Sequence, residues 1–541
     1  MRRGTRVRGA TAMAVMTAAA LPTASCSGGA PSGPGGVVTA VWGVPQNPLL
    51  PGDTNESNGN KVLGSILTGL LSYDPTTSAP VYENAASITT ADQQHFTIRI
   101  KPGWTFSDGT AVSAASYVDA WNYTALATHR QLNSAYFHYV QGYGAVAPAP
   151  GEKPTAATMS GLRVLDATTF TVALTQKFST WPQTLGDTVY APLPASFFKD
   201  PQGWAKHPVG DGPYEISSYS VNKELDLVPY PGYRGLQKPQ NKGVTLKVYA
   251  DPASAYADLR SGTVDVDDTL PLTELANAQR DLAGRLLVSP AGTLSHLVFP
   301  LYDRNWSAAR SAQVRQGISM AIDRPLISAT ILHGTVSPAS DWTAPVLGAS
   351  GGYRAGLCGV YCSYDPVAAR KLIEAGGGLP GGSMTISYNV DGGNRPWVDA
   401  VCNSINRALG NDRACVGNPI ATFPTLRNMI VGKQMTSAFR SATSMDYPLA
   451  QFFLQPLYTT TGALNDPGYR NPAFDQLVDQ ANAAPDRAAA NALFQQAEQL
   501  LVADMPAIPL WYQDSVAGYS AAVSHVQMDG FRTPVYYAIR K

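Results

Sequence analysis

The chain has 541 residues, enough for about three to four domains of ordinary size or fewer large ones. Apolar residues make up 44% and charged residues only 14%, which excludes a disordered chain. Lys plus Arg and Asp plus Glu are both 39, so the charges cancel and no basic nucleic-acid footprint exists.

The chain opens with MRRGTRVRG, carrying Arg2, Arg3, Arg6 and Arg8 and no acid, followed by the apolar run Ala10 to Leu21. That run is short of the ~20 residues a membrane helix needs. A basic start, a short apolar core and small residues before a cut site describe a secretory signal peptide over 1–25. Leu21-Pro22-Thr23-Ala24-Ser25-Cys26 resembles a bacterial lipobox, with cleavage before Cys26 and lipid on its sulfur. Thr23 departs from the usual Leu or Val, and ordinary secretion with a free Cys26 is the plainer alternative. Cleavage removes four arginines and leaves 35 basic against 39 acidic residues. Residues 27–36 hold only Ser, Gly, Ala and Pro, so 26–36 read as the lipidated Cys and a tether reaching ~17 Å.

Strands and helices then alternate. Val37–Trp42 is β-prone, Lys61–Leu71 has helical apolar spacing, and His95–Ile100 alternates as a half-buried strand does. Ser107-Asp108-Gly109 marks a turn before Ser113, an N-cap for the helix bearing Tyr117 and Trp121. Thr169–Leu174 and Val244–Val248 read as strands, with a helical segment at Ser254–Leu259. Further on, Val314, Ile318 and Ile322 form a stripe before Pro325. Asp365-Pro366, Asn471-Pro472 and Asp486 each open a helix. The reading is α/β with mixed sheets, too long for one core.

Four cysteines remain: Cys358, Cys362, Cys402 and Cys415. An even number in an exported chain reads as two disulfides, and the local pairs 358–362 and 402–415 are favoured among three connectivities. The spacing does not suit zinc.

Catalytic patterns fail in context. Gly348-Ala349-Ser350-Gly351-Gly352 matches G-x-S-x-G, but Pro345 precedes it and glycines follow, so it reads as a loop rather than a nucleophile elbow. Pro148 and Pro150 spoil a dinucleotide loop at Gly142 and Gly144. Asp265, Asp267 and Asp268 lack the spacing of a calcium loop and read as a solvated strand end. The expectation is no enzyme, no metal and no cofactor; an exported hydrolase is the remote alternative.

Phe96–Tyr123 (FTIRIKPGWTFSDGTAVSAASYVDAWNY) and His207–Tyr214 (HPVGDGPY) resemble segments of the peptide-binding proteins of bacterial ABC importers. Gly262–Asp265, Val314–Arg324, Tyr364–Gly376, Met445–Pro448 and Tyr469–Val478 fall in that family's order. The resemblance covers roughly 37–541. It implies a two-lobed periplasmic-binding-protein fold of type II, peptide-binding cluster, with an extra subdomain in the first lobe. Lobe I would comprise 37–75, 206–295 and 509–541, the inserted subdomain 76–205, and lobe II 296–508. His296–Leu301 and Ile508–Tyr512 would be the crossing strands.

The implied function is capture of short di- to oligopeptides between the lobes and delivery to permease transmembrane subunits, by a monomer tethered through Cys26 to the outer face of the cell membrane. Members of the family also carry haem, nickel or sugars. Asn55, Glu56, Ser57 and Asn58 fall where the first lobe meets the ligand backbone. Ser441, Ala442, Thr443, Ser444 and Met445 fall where a second-lobe strand pairs with the peptide. Asp446 matches the family's amine-binding aspartate, the alternative being a turn cap before Tyr447-Pro448. Arg395 lies where dipeptide-specific relatives hold the C-terminal carboxylate, the alternative being a surface arginine.

Overall fold

The computed structural model describes residues 35–541 apart from positions 150, 250, 308–310 and 463. The leader, Cys26 and residues 27–34 of the tether lie outside the described residues, as do the expectations placed on them.

The fold is α/β and two-lobed. An eleven-stranded mixed sheet runs through it. In order across the sheet, ten of its strands are Cys415–Ile420, Met384–Asn389, Ala438–Ser444, Leu286–Val298, Ala507–Tyr519, Val266–Asp267, Val37–Trp42, Gly243–Val248, Glu224–Pro229 and Tyr214–Ser220. Val336–Pro338 pairs with Ala507–Tyr519 off this path.

The pair Leu286–Val298 and Ala507–Tyr519 lies near the middle of the sheet and includes the two apolar runs expected at the crossing. Each has 13 residues, and they pair antiparallel from Val298↔Ala507 to Leu286↔Gly518. Ala291 to Val298 and Ala507 to Tyr512 are buried, as expected for strands covered on both faces. The register shift at Pro290/Thr293 puts extra residues in the first of the two, and that at Ser295/His296 puts Leu510 as an extra residue in the second.

Three large apolar cores and two small ones surround this frame among the described residues. One gathers Val38, Trp42, Val62, Ile66, Leu225 and Leu246 against the strands that begin at Val37 and Gly243. A second lies on a four-stranded antiparallel sheet, Ala85–Thr90, His95–Ile100, Thr169–Ala173 and Leu162–Asp166, and buries Phe96, Trp121, Phe170 and Trp181. The third holds Leu297, Trp342, Ile386, Ile405, Phe453 and Phe494.

The cap signals place the helices. Ser113 and Ser116 form a reciprocal cap at Ala114–Ala125. Asp365, Asn471 and Asp486 accept backbone N–H groups at the starts of Pro366–Ala375, Pro472–Asn482 and Arg487–Asp504. The G-x-S-x-G stretch is a short 3-10 turn at Ala349–Gly351, with no strand leading into it.

The aspartates at 265–268 correct the sequence expectation, because they are not solvated. The Asp265 carboxylate is 1% exposed and accepts from the Thr39 N–H at 2.8 Å and from Lys541 Nζ at 2.6 Å. Asp267 accepts from the Thr269 N–H and hydroxyl. Asp268 pairs with the equally buried Lys61 at 2.5 Å. They tie the first lobe together. Gly36 and Lys541 meet there as well, since the Gly36 N–H donates to the Lys541 carbonyl at 2.8 Å.

The structure joins Cys358 to Cys362 and Cys402 to Cys415. The second bridge ties the helix Arg395–Leu409 to the start of the strand Cys415–Ile420.

Candidate functional site

The helix Ser57–Ile66 builds one wall of a cavity that also reaches residues 444–446. Its start differs from the apolar spacing, which put the helix at Lys61–Leu71. The Glu56 side chain caps it, accepting from the Asn58 N–H at 2.8 Å and the Gly59 N–H at 2.7 Å. The far end is closed by the HPVGDGPY loop: the Gly212 N–H takes the Ile66 carbonyl at 2.8 Å, and Asp211 accepts from the Thr68 N–H at 2.9 Å.

The cavity encloses about 390 Å³, at the small end of the roughly 300–1,000 Å³ range of ligand sites. Its walls come from the helix Ser57–Ile66, from the 3-10 turn that follows Asp187, from residues 444–446 and from 529–537. Aromatic side chains floor it. Tyr73 stacks at a tilt on Phe531, with ring centroids 5.4 Å apart, and donates its hydroxyl to the Gln183 carbonyl at 2.8 Å.

Asp446 follows the strand Ala438–Ser444, and its carboxylate accepts a hydrogen bond from the Tyr136 hydroxyl. Tyr190 supports that tyrosine by donating to its carbonyl at 3.0 Å. Burial pushes the Asp446 carboxyl up to about 6, against the lowering effect of the Tyr136 bond. Asp187 stands at the same cavity. Burial, and then the charge of Asp446, push its carboxyl up to about 8. Tyr73, Tyr136, Tyr190 and Tyr447 are all held well above the usual tyrosine value by burial, so they are neutral donors here.

The structure brings Asn55, Glu56, Ser57, Ser444, Met445 and Asp446 to this cavity. Asn55 accepts from Asn47 Nδ2 at 2.9 Å, and Glu56 is committed to its cap. Asn58 stands behind the wall, where its carbonyl accepts from Trp42 Nε1 at 3.0 Å. Ala442 and Thr443 lie in the strand and pair with Ser295 and Leu294.

The other edge of that strand pairs with Met384–Asn389 only at Ala438 and Phe439. Among the described residues, no strand adjoins Ser441 to Ser444 on that side. An extended backbone can add there.

Arg395 is not brought to the cavity. It starts the helix Arg395–Leu409, its side chain is 77% exposed, and its nearest charged partner is Asp399 at 3.4 Å. Sequence reasoning missed Asp187, Tyr136, Tyr73 and Tyr447. Nothing local marks the first two, which reach Asp446 only through the fold.

The model of the bacterial extracellular solute-binding proteins, family 5 Middle, matches residues 79–465. The glutathione-binding protein GsiB of Shigella dysenteriae is 23% identical over 530 residues, covering 96% of each chain. The periplasmic murein peptide-binding protein MppA of Escherichia coli is 24% identical over 429 residues, covering 77% of this chain and 76% of that one. The solved structure of the Escherichia coli murein tripeptide binding protein MppA superposes with a TM-score of 0.76 at 19% identity, covering 93% of this chain and 98% of that one. With the matched segment spanning most of the chain and the fold shared from end to end, this protein belongs to the bacterial extracellular solute-binding proteins of family 5.

Proposed function

We propose that the protein captures short peptides in the cavity at Asp446 and hands them to the membrane permease of an ABC importer. The observation that carries this reading is Asp446 itself. It is a carboxylate enclosed among tyrosines, directly after a strand whose outer edge has room for an extended chain. A carrier of varied peptides must grip their constant features, the backbone and the charged ends. The strand edge serves the first and Asp446 the cationic amine. The relatives named for glutathione and murein peptide support ligands of this size. The protein works as an exported monomer held at the membrane by lipid on Cys26, with no cofactor. The lobe boundaries at 75/76, 205/206, 295/296 and 508/509 belong to this reading; the apolar cores follow them in outline and cross them at Leu70, Leu71, Leu294 and Leu510 to Tyr512.

Calorimetric titration with trialanine, glutathione, a murein tripeptide and N-acetyl-trialanine tests it. The expected result is tight binding of a free-amine peptide and weak binding of the acetylated one. Asp446→Asn should weaken the free-amine peptide by ~30-fold or more, as expected for a desolvated charge pair worth ~2–5 kcal/mol, with an unchanged melting temperature. Equal affinity of Asp446→Asn and the natural protein would sink the amine-anchor role. For the anchor, Cys26→Ala should move the protein out of the detergent phase. Continued partition into detergent would remove the lipid reading.

A further inference from the structure

Six carboxylates line the cavity: Glu56, Asp74, Glu83, Asp187, Asp446 and Asp529. The lining holds a single lysine, Lys61, already paired with Asp268 at 2.5 Å. Four of the six are occupied by the protein's own donors. Glu56 caps its helix. Asp74 accepts from the N–H groups of Thr76 and Thr77, and Asp529 from those of Phe531 and Thr533. Glu83 accepts from the Leu236 N–H and the Ser72 hydroxyl.

Asp446 and Asp187 are left with capacity. Asp446 takes one tyrosine hydroxyl. Asp187 Oδ1 accepts from the Val189 N–H at 2.8 Å, and among the described residues Oδ2 accepts no hydrogen bond. The ionisable groups facing the pair are each other and Tyr73, Tyr136, Tyr190 and Tyr447. Among the described residues, no lysine, arginine or histidine acts on either carboxylate. Like charges close enough to disturb one another, with no cation beside them among the described residues, are relieved by a proton in the empty site or by a cation that a ligand brings.

An ammonium group carries three N–H donors, more than one carboxylate uses. Resting on the peptide reading above, we propose that Asp187 is a second specificity-determining residue that grips the ligand's N-terminal ammonium opposite Asp446. The two come from different parts of the fold. Asp187 precedes the 3-10 turn Thr188–Tyr190, and Asp446 follows the strand Ala438–Ser444. The ligand's amine would therefore fasten one to the other. The proposal has a proton attached. Burial and the charge of Asp446 raise the Asp187 carboxyl, so the empty pair holds a proton more readily than a solvated carboxylate does. The arriving ammonium favours the ionised form, so binding releases that proton to solvent.

Trialanine titrated calorimetrically at pH 7.0, in two buffers of different ionisation enthalpy, reads this directly. The expected release approaches one proton in the natural protein. No release would overturn the proposal without any variant being made. Asp187→Asn keeps an amide oxygen for the Val189 N–H, so the fold and melting temperature should hold. Trialanine should bind it at least ~10-fold more weakly at pH 7.0, the cost of losing one charged hydrogen-bond partner, with proton release abolished. N-acetyl-trialanine should be insensitive to the change. Affinity of the natural protein should rise between pH 5.5 and 7.0, and that of Asp187→Asn should rise less. Asp187→Asn binding trialanine within twofold of the natural protein, with unchanged release, would overturn the role of Asp187 alone. Failure of the natural protein to bind any free-amine peptide would instead remove the peptide reading, and this inference with it.

Discussion

Glu56 and Asp446 are both carboxylates on the cavity wall, and their hydrogen bonds divide their work. Glu56 gives both oxygens to backbone N–H groups of the helix it starts. Glu56→Ala should therefore cost ~1 kcal/mol of stability, measured by denaturant melts, while peptide affinity stays within about threefold. Asp446 was legible in the sequence because Met445–Pro448 is a compact local stretch. Its partner Tyr136 was not, since the two lie 310 residues apart and only tertiary packing joins them. Arg395 shows the converse hazard. A suitable residue type in a loosely corresponding stretch turned out to be an exposed helix start, with an ion pair of a class worth ~0.3–0.5 kcal/mol. Arg395→Ala should leave trialanine affinity within twofold by calorimetry, and a larger loss would return it to the binding machinery.

At the scale of elements, helices announced by an aspartate, asparagine or serine cap were placed within a residue or two, because the capping chemistry is local. The helix Ser57–Ile66 was misplaced because its cap is a glutamate, which the usual cap preferences exclude. It ends early because another segment takes its last carbonyl. Gly212 is the residue that allows this close approach, since a Cβ there would sit 2.4 Å from the Ile66 carbonyl carbon. Gly212→Ala should destabilise the protein by ~1–3 kcal/mol through overpacking, seen as a lowered melting temperature. A neutral result would mean that the loop can move aside. The bridges Cys358–Cys362 and Cys402–Cys415 predict an intact mass four hydrogens below that of the reduced chain.

The whole molecule carries several buried carboxyls that burial raises above the usual ~4. Asp187 is pushed up to about 8 and Asp211 to about 7, and Glu498 is raised by burial and by Asp341 beside it. A carboxyl raised in the folded state binds its proton more tightly there than in the unfolded chain, so stability is lost as pH climbs through the folded value. The ligand-free protein should melt lower at pH 8.5 than at pH 6.5. Below that window the buried His296, lowered to about 3 by burial, works the other way, because only the unfolded chain takes its proton. Stability that rises between pH 6.5 and 8.5 would contradict this. At this scale the sequence revealed the architecture through several weak motifs in the right order and through two apolar runs at the crossing. It concealed the length of the crossing strands. Residues 286–295 and 513–519 mix polar and apolar positions and become strand only by pairing with each other.

The meeting of Gly36 with Lys541 orders assembly in time. A chain that leaves the ribosome and crosses a membrane amino end first delivers the strand Val37–Trp42 long before the segment that latches it. Ile539, fully buried, and Lys541, bonded to Asp265, arrive last. Until they do, the strand Val37–Trp42 lacks that latch, while the core holding Leu297, Trp342 and Phe494 already has its buried residues up to Tyr512. A chain lacking residues 538–541 would lose the buried Ile539 and the Lys541–Asp265 bond together, and should melt lower than the chain that keeps them.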